Sequence, residues 1–292
     1  MTTANFIHLR VRSAYSLLQG ALLIPKLAKL SVANKFPAIA LTDQNNLFGA
    51  LEFSTKLSES GVQPIAGITL SVNFGDARSD PSHTAIFGAK AETTIAGDIA
   101  LLAMNDAGYA NLMKLGSQAF FDPTEIEPPH VSFHRLQEHH EGLIVLTGGH
   151  DGPINKALLE DRADVAADRL AKLFDVFGDR LYIELQRHGM PEERDAEPAL
   201  IKMAHDNSVP LVATNDCHFA TPEEYEAHDA LMCIAGGNYI IQDDRKRLTP
   251  EHGLKSTEEM TALFADLPEA IDNTVEIARR CHMRPLGKAP IL

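Results

Sequence analysis

Two residues just beyond a short apolar run have the types and spacing for chemistry. They are Asp216 and His218, in the stretch Pro210-Leu-Val-Ala-Thr-Asn-Asp-Cys-His-Phe219. On an extended chain, residues two apart point the same way. A carboxylate beside an imidazole suits a divalent metal ion or an acid/base pair. The same stretch also reads as a polar turn before a helix that opens at Thr221-Pro-Glu-Glu224. The choice depends on what the other strand ends bring to the same place.

The bulk properties bound that choice. At 292 residues, 45% hydrophobic and 23% charged, the chain suits one α/β barrel or two modest domains. No apolar run approaches the ~20 residues of a membrane span. Met1-Thr-Thr-Ala-Asn5 lacks the charged and apolar regions of a signal peptide. Cys217, Cys233 and Cys281 are odd in number and widely spaced, which fits a reduced, cytoplasmic protein without a disulfide frame or zinc ribbon. A net charge of −14 repels phosphates at long range. The local basic run Arg245-Lys-Arg247 reads as solvated loop.

The elements that must position the candidate pair follow from periodicity. Residues 6–13 alternate, with Phe6, His8, Arg10 and Arg12 on one face and Ile7, Leu9 and Val11 on the other, and predict a strand. Further strands are predicted over 37–43, 64–74, 99–104, 143–147, 181–185 and 211–216. Helical spacing covers 22–35, 47–60, 108–120, 133–140, 153–177 with a break near Asp161, and 192–207. Three helices at 222–235, 257–265 and 268–281 close the chain, the second behind a Ser256…Glu259 capping box and the third behind Pro268. Residues 75–97 read as a loop or variable hairpin and 122–132 as a connector. Residues 284–292 read as the start of a linker, leaving 1–283 as one domain with its C-terminal helices packed on a barrel.

Seven strands alternating with helices describe a βα barrel or a doubly wound sheet, and function sits at the C-terminal strand ends of either. There the sequence places Arg10, Arg12, Asp43, Thr69, Gly148, Gly149 and Glu184 with Asp216 and His218. So many polar strand ends favour a barrel with one polar mouth. No Gly-x-Ser-x-Gly, P-loop or dinucleotide fingerprint occurs. Gly148-Gly149 ahead of Gly152-Pro153 reads as an anion-binding helix start or a plain strand-to-helix loop.

Four segments, in order and spacing, resemble a known family. They are His8-Leu-Arg-Val-Arg-Ser13…Ser16-Leu-Leu-Gln-Gly20, Ala38-Ile-Ala-Leu-Thr-Asp43…Asn46-Leu-Phe-Gly-Ala50, Gly108-Tyr-Ala-Asn-Leu112 and Val212-Ala-Thr-Asn-Asp-Cys-His218. They look like the polymerase-and-histidinol-phosphatase (PHP) domain found at the N-terminus of bacterial DNA polymerase III alpha subunits. Ser256-Thr-Glu-Glu-Met260, Leu263-Phe-Ala-Asp266 and 273–281 resemble the helices that close that domain. The resemblance implies a distorted seven-stranded (βα)7 barrel with extra C-terminal helices. It also implies, in active members, a nine-ligand metal cluster for phosphoester hydrolysis or 3′–5′ proofreading.

Carried over residue by residue, the family's opening His-x-His falls on Arg10 and Arg12, which have no lone pair to offer a metal. Its next acidic ligand falls on Gln19, its following His on Gln44, its third-strand Glu on Thr69 and another His on Asp98. A Cys or His falls on Gly149, beside His150, and only the final Asp-x-His is kept, as Asp216 and His218. The resemblance thus implies a vestigial site without hydrolysis. The expectation is an ion-pair network of Arg10, Arg12, Asp43 and Asp216, with Asp98 as a further carboxylate, in place of the cations. Arg10 turned outward to solvent is the alternative. A single weakly held ion at Asp43, Asp216 and His218 is the remaining metal reading.

The other histidines carry less. His139-His140 reads as a polar, helix-ending surface stretch, His134, His205, His228, His252 and His282 as isolated surface residues, His8 as packing at the barrel bottom, and His188 with Glu184 as orienting a loop. By resemblance, the expected partners are the polymerase core of the same chain and a separate epsilon-type proofreading exonuclease subunit. DNA is met only through the full-length polymerase, and no membrane is involved. No cofactor is expected for this domain, and Mg2+ belongs to the polymerase core. An active metal-dependent PHP phosphoesterase or 3′–5′ exonuclease is the alternative. A freestanding metabolic barrel enzyme lacks a complete catalytic set in this sequence.

Overall fold

The computed structural model describes residues 5–76, 95–123, 127–242 and 244–287. Most of the loop expected over 75–97, the middle of the 122–132 connector and the last five residues lie outside them. Short aliphatic runs form the strands: β1 (Ala38–Leu41), β2 (Gln63–Asn73), β3 (Gly97–Ala103), β4 (Val131–Ser132), β5 (Leu143–Leu146), β6 (Leu181–Leu185) and β7 (Leu211–Ala213). The strand path is β1-β2-β3-β5-β6-β7, and the two-residue β4 pairs with the end of β2. Pairing is parallel except on either side of β3, which runs antiparallel to both β2 and β5. A mixed, curled α/β sheet results, the distorted barrel class read from the sequence.

Residues 6–13 do not form the regular strand that their alternation predicts. They make isolated parallel bridges instead, His8 with Ile39 and Val11 with Cys217. Backbone bonds from Ala40 to His8 (2.8 Å) and from Arg12 to Cys217 (2.9 Å) tie this segment to β1 and to the chain just after β7. It therefore joins the two ends of the strand path and holds Arg10 and Arg12 at the mouth. The strict alternation also breaks. Ile7 and Leu9 pack with one face of the sheet, whereas Val11 packs with Leu27, Phe53 and Leu57 of the first two helices.

The inward face takes alternate residues such as Ala38, Ala40, Ala100, Leu102, Ile144 and Leu146, closed by Ile277, Ala278 and Cys281. The opposite residues, including Leu101, Val145 and Ile183, meet the helices. Those helices are α1 (Ile24–Ala33), α2 (Ala50–Glu59), α3 (Asp106–Phe121), α4 (Phe133–Glu138), α5 (Pro153–Leu159), α6 (Ala163–Phe177), α7 (Pro191–Asn207), α8 (Tyr225–Gly236), α9 (Thr257–Leu263) and α10 (Pro268–Arg280). The expected break near Asp161 falls between α5 and α6, where Asp161 adopts φ 56°. The Ser256…Glu259 capping box opens α9. Of each strand Cβ pair, one points inward and one outward, so near-complete burial on both faces explains why these strands read as unbroken apolar runs.

Candidate functional site

β7 ends at Ala213, three residues earlier than the sequence pattern suggests, and Asp216 has φ 36°. A left-handed aspartate is an uncommon conformation that needs support from its surroundings. Two guanidinium groups supply it. Arg12 Nε and Nη2 donate to the two carboxylate oxygens of Asp216 at 2.9 and 3.0 Å, a two-point clasp. Arg10 Nη2 donates to the same carboxylate at 3.2 Å. All three side chains are buried. Burial alone would raise the Asp216 carboxyl, but Arg10 and Arg12 outweigh it and hold the group well below its ordinary range.

Arg10 reaches a second acid. Its Nη1 lies 3.3 and 3.4 Å from the oxygens of Glu184, which is fully buried in β6. Glu184 also accepts from Gly148 N (2.9 Å), Gln186 Nε2 (2.9 Å) and the Thr214 hydroxyl. The sequence reading gave Glu184 only a loop-orienting part. Its signal was present, because a glutamate inside an apolar strand must find a counter-charge when buried.

Asp43, expected in the arginine network, is held differently. Its carboxylate accepts from Ser13 N (2.7 Å), Ser13 Oγ (2.7 Å) and Ser16 Oγ (2.6 Å). Burial raises its carboxyl above the ordinary value, opposed by those hydroxyl and amide donors. Neutral donors within the same turn satisfy the oxygens, leaving no place for a guanidinium. Asp98 likewise rests on neutral donors, Ser71 Oγ (2.6 Å) and Gln44 Nε2 (3.3 Å).

The other positions divide cleanly. Gln19 and Gln44 both accept from Arg12 Nη1, at 2.9 and 2.7 Å. Thr69 turns its hydroxyl to the backbone oxygen of Thr42 (2.9 Å). Gly149 has φ 58°, and a Cβ there would sit 2.0 Å from Gln186 Oε1, so the Gln186 carboxamide fills the space a side chain at 149 would need. His150 beside it lies 3.4 Å from Asp151. Arg10, Arg12, Gln19, Gln44, Asp98, Asp216 and His218 are thus gathered at one mouth, while Asp43 and Thr69 are turned into the frame.

The histidines require a correction. His228 and His252, read as isolated surface residues, are buried and stand in a cluster with His188 and His218. His188 and His252 stack with ring centroids 3.7 Å apart, and His218 meets His252 and His228 edge-on at 5.7 and 5.5 Å. His188 lies 2.5 Å from both Glu193 Oε1 and the Asn215 carbonyl. His218 Nδ1 and His228 Nε2 both donate to the Gln19 carbonyl, at 2.8 and 2.6 Å. Burial pushes His218 down to about 4, against the pull of Asp216, whose Oδ2 lies 3.7 Å from Nε2. Burial also lowers His252 and His228. His8 packs edge-on to Phe6 and Phe36, donates to Lys255 O, and is pushed down to about 4 by burial.

A cavity of about 500 Å³ opens at this mouth, lined by Arg12, Gln44, Asp98, His150, Asp216 and His218 among others. The donor set does not fit a metal cluster. Guanidinium nitrogens carry no free lone pair, the Asp216 oxygens are already engaged, and among the described residues no group of three His, Cys, Asp or Glu side chains could hold an ion. No described helix is long and apolar enough to cross a membrane.

The chain is 49% identical over 289 residues to the DNA polymerase III subunit alpha of Caulobacter vibrioides, covering 99% of this chain and 24% of that protein. It is 39% identical over 288 residues to the protein of the same name from Rickettsia bellii, covering 99% and 23%. The chain therefore spans about a quarter of the length of these relatives. Among solved structures, a two-domain protein of Bacteroides vulgatus containing a predicted PHP-like metal-dependent phosphoesterase matches with TM-score 0.44 and 10% identity, over 96% of this chain and 70% of that one. The profile of the PHP domain matches residues 8–188. With more than half of its residues inside that match, the chain belongs to the PHP domain family.

Proposed function

We propose that this chain is a non-hydrolytic PHP domain of a replicative DNA polymerase alpha subunit, acting as a structural scaffold and as a docking platform for a separate proofreading exonuclease subunit. The observation that carries the reading is the double clasp on Asp216, in which Arg10 and Arg12 stand where a hydrolytic centre would need lone-pair donors. Relatives named DNA polymerase III subunit alpha support the replicative setting. In that setting the domain packs on the polymerase core of its own chain. Mg2+ serves the core, DNA is met through the whole polymerase, and the assembly works in the cytoplasm.

Elemental analysis of the purified chain, paired with a binding measurement against the exonuclease subunit of the same bacterium, tests the reading. Binding with no stoichiometric zinc, manganese or iron is expected. Near-stoichiometric metal with phosphoesterase turnover, and no binding, would overturn it in favour of the hydrolytic alternative.

A further inference from the structure

One ring of the histidine cluster faces an acceptor on each of its two nitrogens. His188 Nδ1 lies 2.5 Å from Glu193 Oε1, and Nε2 lies 2.5 Å from the Asn215 carbonyl oxygen. A neutral imidazole carries one proton, so one nitrogen would turn a lone pair toward an oxygen. A backbone carbonyl has no proton to give, and Nε2 must therefore carry one. The proton between Nδ1 and Oε1 is the one left to place.

Glu193 places it. Its Oε2 accepts from His188 N (2.6 Å) and Met190 N (3.3 Å) at the start of α7. Two backbone donors and a helix N-terminus favour the carboxylate over the acid. Burial would raise the Glu193 carboxyl, but its bonds from His188 outweigh burial and lower it. The proton belongs to Nδ1.

The resulting charge is enclosed. His188 is 1% exposed and Glu193 6%. A buried cation needs its counter-charge at hand, and Glu193 supplies it. The ring stacks on His252, whose Nδ1 accepts from Thr249 N (3.2 Å), the pattern of a neutral imidazole. After burial itself, His188 is the next cause holding His252 low. Lys255 donates to Asn215 Oδ1 (3.2 Å), His218 stands edge-on to His252, and His150 lies within electrostatic reach of Glu193.

We propose that His188 is a buried imidazolium, protonated on both nitrogens at neutral pH, and that it positions Asp216. The Asn215 carbonyl belongs to the peptide unit that opens Asp216, so its direction sets the φ of 36° there. Asn215 Nδ2 donates to the Gly253 carbonyl (2.6 Å), and the Thr249 hydroxyl donates to the His188 carbonyl (2.9 Å). The loop after β6, the chain after β7 and the turn 249–253 thus meet at one charged ring. Arg10 and Arg12 grip Asp216 from the other side. The clasp at the mouth therefore rests on a third cation that does not touch it.

The assignment goes beyond the scaffold reading and stands whether or not the exonuclease subunit binds. Nitrogen NMR of the full chain, labelled with 15N-histidine and held at pH 7.5, reads the charge directly. Both His188 nitrogens are expected in the protonated range, whereas an ordinary histidine is about nine-tenths neutral there. A bare nitrogen in that ring would overturn the imidazolium, with no variant needed. Glu193→Gln should leave Nδ1 bare, and a ring still doubly protonated in that variant would overturn the pairing.

Positioning is read at Arg12, through exchange of its Nε proton with water. His188→Asn keeps a group where Nδ1 stood and loses the carbonyl bond, so exchange should quicken about tenfold. His188→Gln keeps a donor where Nε2 stood and should stay near wild type. Equal rates in all three proteins, or the same acceleration in both variants, would overturn the positioning role.

Discussion

Two buried polar regions sit side by side in this barrel, and they solve the same problem in opposite ways. At the mouth, Arg10 and Arg12 meet Asp216 and Glu184 as full charges, each matched by an opposite charge. Beside it, His188, His218, His228 and His252 lie ring to ring, with three of them pushed down by burial and held by backbone oxygens. A guanidinium keeps its charge across the usable pH range, whereas an imidazole buried neutral does not keep its neutrality in acid. The first region should therefore be sensitive to deletion and indifferent to pH, and the second should respond to pH.

Removing the shared carboxylate tests the first half. Asp216→Ala leaves two buried guanidinium groups without their common partner and should cost about 3–5 kcal/mol of unfolding free energy. Denaturant titration would read it. A loss below ~1 kcal/mol would mean that the arginines escape to water and that the charges are not truly committed to each other.

Acid tests the second half. His218 and His8 are each lowered to about 4 from an ordinary 6.5, so the unfolded chain takes up their protons first as pH falls. Their contribution is complete above about pH 6.5, declines below it, and is gone by the folded value near 4, on the order of 3 kcal/mol per ring. Asp216, being depressed, keeps its contribution down to its unfolded value and loses it only below that. Unfolding midpoints measured from pH 7.5 to 4 should therefore drop in wild type, and His218→Gln should flatten part of the drop. An unchanged profile in that variant would assign the acid response elsewhere.

A smaller effect probes the edge of the charged region. Gln186→Ala removes one of the donors to Glu184 while Arg10, Gly148 and Thr214 remain, and should cost about 1 kcal/mol. Lys26→Met, which breaks a half-exposed pair with Glu224, should stay within about 0.5 kcal/mol. If both changes cost the same, burial is not what gives the mouth its weight.

Much of this is legible in the amino-acid sequence itself. Periodicity, the prolines at Pro153 and Pro268 and the Ser256…Glu259 box place the helices within a few residues of where they form, because those signals are local. Arg10 and Arg12 could be assigned to the mouth for the same reason, being part of one short segment. What escaped depends on distant partners. Residues 6–13 have a strand's alternation but only bridges for neighbours, and β4 exists only because Val72 lies opposite Val131. His188, His218, His228 and His252 are far apart along the chain and meet only after β6, β7 and α8 are in place. Asp43 meets serines and not an arginine because the hydroxyls of Ser13 and Ser16 reach its oxygens at 2.7 and 2.6 Å.

The contact between Gly149 and Gln186 has a consequence for how such a barrel can change over generations. A side chain at 149 collides with the carboxamide, so it enters only if the end of Gln186 swings away or is shortened, and at φ 58° it is strained in either case. Shortening 186 first removes a donor from Glu184 and so weakens the grip on Arg10. Neither step is favourable alone. Position 149 is therefore coupled through Gln186 to Glu184 and Arg10, and a change at one is felt at the other.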